Sequence, residues 1–99
     1  MSEARLDRKA PGEFALVGDL SFVSVPGLVE SGDLLFSDGG SVRLDLSQVA
    51  RGDSAGLALL VSWVRLARQQ GRQLHFGQVP SQLLGMARVS GVDRLLCQP

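Results

Sequence analysis

Four stretches of the chain carry the hydrophobic pattern of strands. Residues 13–17, Glu-Phe-Ala-Leu-Val, are apolar after the first position and lie between Pro11-Gly12 and Gly18-Asp19, as a largely buried strand would. Residues 4–8 precede them across Ala10-Pro11-Gly12 and are the candidate hairpin partner. Residues 41–46 alternate, with Val42, Leu44 and Leu46 on one face, and residues 73–76 repeat the pattern with Leu74 and Phe76 inward. Three or four strands are expected.

Helical patterns lie between them. Ser24-Val25-Pro26 suits a helix entry, with a serine cap and an early proline, but Gly27 and Gly32 each cost roughly 1 kcal/mol relative to alanine, so residues 24–36 predict a weak helix. Residues 55–70 predict the best helix, about 24 Å long. It is stopped by Gly71, with Arg65, Arg68 and Arg72 at the end its dipole favours. Residues 81–89 form a third helix ended by Gly91, and residues 92–96 a last short element. The order β-β-α-β-α-β-α predicts a small α/β sandwich, a mixed sheet with helices mainly on one face.

On the long helix, Leu57, Leu60, Val61, Val64 and Ala67 fall within an arc of about 120°, the width of a core-facing stripe. Leu59, Trp63 and Leu66 form a second stripe roughly 130° away. Leaving Leu59 and Leu66 in water forgoes roughly 1.5–3 kcal/mol each, and tryptophan is a residue type enriched at interface anchors. The second stripe is therefore either a docking surface or is covered by residues 24–36 or 81–89.

Ninety-nine residues fit one domain spanning 1–99, and 44% hydrophobic with 20% charged residues excludes both disorder and a coiled coil. Ten Lys and Arg balance ten Asp and Glu with no basic block, which argues against a phosphate-tracking nucleic-acid binder. The first nine residues alternate in charge and no apolar run approaches the ~20 residues of a membrane span, so a soluble cytoplasmic protein with no membrane insertion is expected. Cys97 and His75 are the only residues of their kinds; a disulfide within the chain is excluded, a thiol-based zinc site is not expected, and no metal or cofactor is implied. A His-paired catalytic thiol would need Cys97 and His75 to meet in space.

Gly52-Asp53-Ser54-Ala55-Gly56 matches the G-x-S-x-G turn that lifts a nucleophilic serine above a hydrolase sheet. Residues 47–52 separate the expected strand end at Leu46 from Asp53, however, and no acid lies between Ser54 and His75, so no catalytic residue is expected. Nor is the segment a phosphate-binding loop, because the only lysine is Lys9. What remains is a serine at or near the start of the strongest helix. Its oxygen can cap the helix for about 1 kcal/mol. Alternatively, the small residues Ala55 and Gly56 leave the backbone uncovered for a partner, and a phosphate on Ser54 would meet helix amides while adding roughly −1.5 to −2 charges beside Asp53.

Gly18-Asp19-Leu20 after the second strand, Asp45-Leu46-Ser47 at a strand exit, Asp53-Ser54-Ala55-Gly56-Leu57 and the late turn Ser90-Gly91-Val92 together resemble the STAS domain family over nearly the whole chain. The resemblance implies a STAS-like sandwich, with a mixed four- to five-stranded sheet and about three helices mainly on one face. Within the family, Asp45-Leu46-Ser47-Gln48-Val49, the segment Asp53 to Leu60, and Ala67-Arg68-Gln69-Gln70-Gly71 are most similar to the cytoplasmic STAS subunit of phospholipid-transport ABC complexes of Gram-negative bacteria. That similarity implies a non-catalytic protein, peripheral to the inner membrane, that binds the ABC ATPase subunit of a system maintaining outer-membrane lipid asymmetry. Asp53, Ser54, Ala55 and Gly56 would form the partner contact, with Leu59, Trp63 and Leu66 as a second part. The alternative within the family is an anti-sigma factor antagonist, in which the residue matching Ser54 is phosphorylated by a partner anti-sigma kinase.

Overall fold

The structure is a computed structural model that describes residues 4–37 and 40–96. Cys97 lies outside the described residues, and with it the pairing of that thiol with His75. Strands β1 (Arg5–Ala10) and β2 (Glu13–Leu20) form an antiparallel hairpin. Its turn is tight because Gly12 has φ +75° and a Cβ there would lie 2.9 Å from the Ser41 carbonyl oxygen. Strand β3 (Val42–Gly52) runs parallel to β2, and β4 (Leu74–Gly77) parallel to β3, giving a mixed sheet in the order β1-β2-β3-β4. Between β2 and β3 the chain forms α1 (Val25–Leu28), a 3-10 turn (Val29–Ser31) and α2 (Gly32–Leu35). Helix α3 (Ser54–Gln69) joins β3 to β4; α4 (Ser81–Ser90) and α5 (Asp93–Leu96) follow.

The expected alternation places the core. Phe14 and Leu16 from β2, Val42, Leu44 and Leu46 from β3, and Leu74 from β4 are buried in one cluster with Leu57, Leu60, Val61, Val64 and Ala67 of α3. On the opposite face Glu13, Arg43 and His75 stand abreast in register, the first two exposed and the third half-buried. Gly91 has φ +75° and closes α4, as the glycine after its pattern implied.

Three expectations change. Strand β3 does not end at Leu46 but continues to Gly52, so Asp45-Leu46-Ser47 is not a strand exit. The alternation stops at Leu46 because the register against β2 shifts twice: Ala15 faces Asp45 but Val17 faces Gln48, and Gly18 faces Val49 but Leu20 faces Gly52. Leu46, Val49 and Gly52 are therefore the buried positions, three residues apart instead of two. At the first shift the Asp45 carboxylate accepts bonds from the Ser47 amide and hydroxyl, at 2.8 and 3.0 Å.

Residues 24–36 do not form one weak helix but three single turns, none with a side-chain cap. Ser24 instead turns its hydroxyl back to the Asp19 carbonyl at 2.6 Å. This arm settles the second stripe of α3. Leu59 and Trp63 are 3% and 2% exposed and Leu66 is half-buried, because the arm lies over them with Leu28, Leu35 and Phe36 in the same cluster. A Cβ on Gly32 would stand 3.0 Å from Trp63 Nε1 and 3.2 Å from Leu66 Cδ2, so the absence of a side chain at 32 lets the arm close down on the indole. The reading of Leu59, Trp63 and Leu66 as an open docking stripe is thus corrected: they are part of the core or its margin.

Replacing this core tryptophan has a definite consequence. Trp63→Ala is expected to cost about 3–5 kcal/mol, as large-to-small changes at buried aromatics do. Urea denaturation measures it, and a loss within about 0.5 kcal/mol, typical of surface positions, would place the indole outside the core.

Candidate partner-binding shoulder

The two register shifts bring the end of β3 level with the end of β2. The Asp53 amide donates to the Leu20 carbonyl at 3.0 Å. Asp53 is extended, with φ −109° and ψ −170°, and it is this residue, not Ser54, that caps α3. Its Oδ1 accepts from the amides of Ala55 at 2.9 Å and Gly56 at 3.2 Å, and its carbonyl accepts from the Leu57 amide at 3.0 Å. The expected serine cap is corrected accordingly. Ser54 is the first helical residue, exposed, and its hydroxyl takes no part in the cap.

Gly56 is not free for a partner either. It is buried, and a Cβ there would lie 2.6 Å from Leu20 Cβ and 2.7 Å from the Leu20 carbonyl oxygen. The first turn of α3 therefore sits flush on the end of β2, which only glycine permits. Ala55 is half-buried. Of the expected shoulder, Asp53, Ser54 and Ala55 reach the surface, while Gly56 positions them.

Two open grooves flank Ser54. One, of about 390 Å³, runs between α3 and α4 and is lined by Ser54, Leu57, Gln82, Gly85, Met86 and Val89. It is mostly apolar and uncharged at its walls. The other, of about 290 Å³, is of mixed polarity and lies beside Asp53, over Asp19, Ser21 and Arg51. Gln82 lines both, with its Oε1 accepting from the Gly52 amide at 3.4 Å.

Three exposed apolar residues near this shoulder escaped the sequence reading: Phe22 at 74%, Val23 at 73% and Val89 at 91% exposure. Phe22 is joined to the shoulder by its amide, which donates to Asp53 Oδ2 at 3.3 Å. A signal for the first two was present in Ser21-Phe22-Val23-Ser24, where flanking serines can fold the backbone into a turn and leave the residues between them outside.

Extension of β3 to Gly52 removes the strand-end argument against a G-x-S-x-G elbow. The base is still not at hand: His75 pairs in register with Arg43, at the other end of β3, and its Nε2 lies 3.3 Å from Gln73 Oε1. Among the described residues no group of three or more His, Cys, Asp or Glu is placed to hold a metal ion, and no helix is long and apolar enough to cross a membrane.

The close approach at Gly56 gives a sharp expectation. Alanine is the better helix former by about 1 kcal/mol, yet Gly56→Ala is expected to destabilise by about 1–3 kcal/mol through overpacking against Leu20. Chemical denaturation reads the sign, and a more stable variant would show that β2 yields.

Comparison with known proteins places this arrangement. Residues 6–97 match the family model STAS_2, described as "Mlab, STAS domain", and the chain belongs to that family. No curated protein matches it. Among solved structures, a Thermotoga maritima protein described as a candidate anti-sigma factor antagonist is similar at a TM-score of 0.73 and 15% identity, over 94% of this chain and 82% of that one. The Bacillus cell fate determinant SpoIIAA in its phosphorylated form is similar at 0.70 and 11% identity, over 95% and 88%. Mglu is similar at 0.59 and 21% identity over 79% of this chain, which spans only 20% of the Mglu chain. At these identities the structural matches establish the fold.

Proposed function

We propose that this STAS-domain chain works by being bound: it is a non-catalytic subunit that docks on the ABC ATPase of a phospholipid-transport system and supports its assembly or activity. The site is the shoulder of Asp53, Ser54 and Ala55. It would act in the cytoplasm, held at the inner membrane through its complex. The observation that carries this reading is the division of labour at the start of α3. Asp53 supplies the cap, so the exposed Ser54 hydroxyl has no structural duty and is available to another molecule. The family description, "Mlab, STAS domain", supports the choice of partner.

A second reading is favoured by the fold shared with SpoIIAA, whose structure is known in a phosphorylated form. Here the chain would be an anti-sigma factor antagonist, and Ser54 the residue that a partner kinase phosphorylates. Both readings need an exposed serine; they differ in whether the serine carries phosphate.

Co-purification with the ATPase tests the first. Ser54→Glu is expected to weaken the complex by about tenfold or more, equivalent to about 1.4 kcal/mol, with Ser54→Ala much milder. Unchanged affinity of Ser54→Glu would remove Ser54 from the contact. Incubation with ATP and candidate anti-sigma kinases, read by intact mass, tests the second: a phosphate that fails to form, or forms at a residue other than Ser54, sinks it.

A further inference from the structure

The loop between β2 and α1 is built to hold its two apolar residues outward. Five consecutive amides, from Ser21 to Val25, all have acceptors. The Ser21 amide donates to Ser24 Oγ at 2.9 Å, the Val23 amide to Ser21 Oγ at 3.2 Å, and the Ser24 and Val25 amides to the Ser21 carbonyl at 3.1 and 2.8 Å. Four of the five bonds therefore stay within the loop. The fifth amide, that of Phe22, reaches out of the loop to Asp53 Oδ2 at 3.3 Å. Phe22 and Val23 are the side chains this arrangement leaves in water, at about three-quarters exposure. An ordered loop that presents an aromatic and a branched residue has already met the entropy cost of fixing them, which is what a docking tip needs.

The Asp53 carboxylate is thus shared. Oδ1 holds the first turn of α3 and Oδ2 holds the tip, and the next residue is Ser54. We propose that Asp53 is a positioning residue that couples Ser54 to the Phe22–Val23 tip. A negative charge placed on Ser54 repels the neighbouring carboxylate, loosens its hold on the Phe22 amide and frees the tip. The tip is then the apolar half of the surface whose polar half is the Ser54 shoulder, and its occupant is the partner protein of the proposed function, received in an apolar pocket; this last step rests on that reading. Charge on Ser54 would weaken binding by disordering the tip as well as by direct repulsion.

Asp53→Asn separates the two duties of the carboxylate. Asparagine is as good a helix cap as aspartate, so its carbonyl can keep the Ala55 and Gly56 amides, but its amide group cannot accept from Phe22. Water-exchange NMR on the full-length protein reads each amide. The expected result is that Phe22 exchanges about 2- to 10-fold faster, the range of one modest hydrogen bond, with Ala55 and Gly56 unchanged. Ser54→Glu is expected to accelerate Phe22 in the same direction. Unaltered exchange of Phe22 in Asp53→Asn, with the cap amides retained, overturns the tether; acceleration there without any in Ser54→Glu overturns the coupling. Phe22→Ser, which leaves Ser54 intact, is expected to weaken retention of the ATPase by about tenfold, since exposed aromatics that dock are strong anchors. If Ser54→Glu weakens retention and Phe22→Ser does not, the tip is no part of the interface. If the wild-type chain retains no ATPase at all, the proposed partner fails while the two exchange measurements still judge the tether and the coupling.

Discussion

The architecture turns on one junction, where β3 ends, α3 begins and β2 stops alongside both. Asp53 makes that junction with every polar group it has. Its amide binds the Leu20 carbonyl, its own carbonyl takes the Leu57 amide, and its carboxylate takes three more amides. Gly56 then lets the first turn of the helix rest on Leu20 without a side chain between them. A helix can start in many places along an apolar pattern, but here the cap and the missing side chain together fix both where it starts and how close to the sheet it runs. Ser54 acquires its position as a result: one residue past a cap that is already satisfied, it faces outward with its hydroxyl uncommitted.

The same economy explains the arm. Helix α3 carries more apolar surface than one sheet face can cover, and the surplus is closed by three helical turns that would not persist alone. Isolated helices this short are unstable in water, so their form is dictated by the surface they pack on. Gly32 allows contact close enough that the indole of Trp63 is sealed, leaving its N–H buried without a partner among the described residues, at a cost of about 1–3 kcal/mol. A cover one layer thick has an outer side, and it is there that Val29 and Leu34 remain in water.

How much of this could be read from the chain follows from what each feature depends on. Strands and helices set by period and by glycine, such as the strand beginning at Glu13 and the helix ended by Gly91, are local and were legible, although β2 does not turn at Gly18-Asp19-Leu20 as expected but runs through it to Leu20, paired there with β3. The length of β3 was not, since it depends on extra residues inserted against β2, and a strand whose buried positions fall at 46, 49 and 52 does not alternate. The cap went to the wrong residue because aspartate and serine are equally good caps, and an apolar pattern starting at Leu57 cannot choose between adjacent positions. Whether Leu59 and Trp63 were open or covered rested on a segment distant in sequence. Phe22 and Val23 look like core by type, and only the hydrogen bonds around them turn them outward. The family motifs, by contrast, were legible as a set, and the match over residues 6–97 agrees with them.

The geometry around Ser54 bears on what kind of residue it is. With β3 reaching Gly52, the serine stands at a strand-to-helix junction, but it is the first residue of the helix and has no positive φ, so Gly52-Asp53-Ser54-Ala55-Gly56 matches the elbow motif in its letters and not in its backbone. Such a junction supplies exposure; it does not supply reactivity. A hydroxyl becomes a nucleophile when an adjacent base takes its proton, and the carboxylate next to Ser54 is occupied by three amides while the histidine stands beside Arg43 at the far end of the strand. Among the described residues the junction therefore does two separate things: it exposes the hydroxyl, and it commits the neighbouring carboxylate to backbone amides.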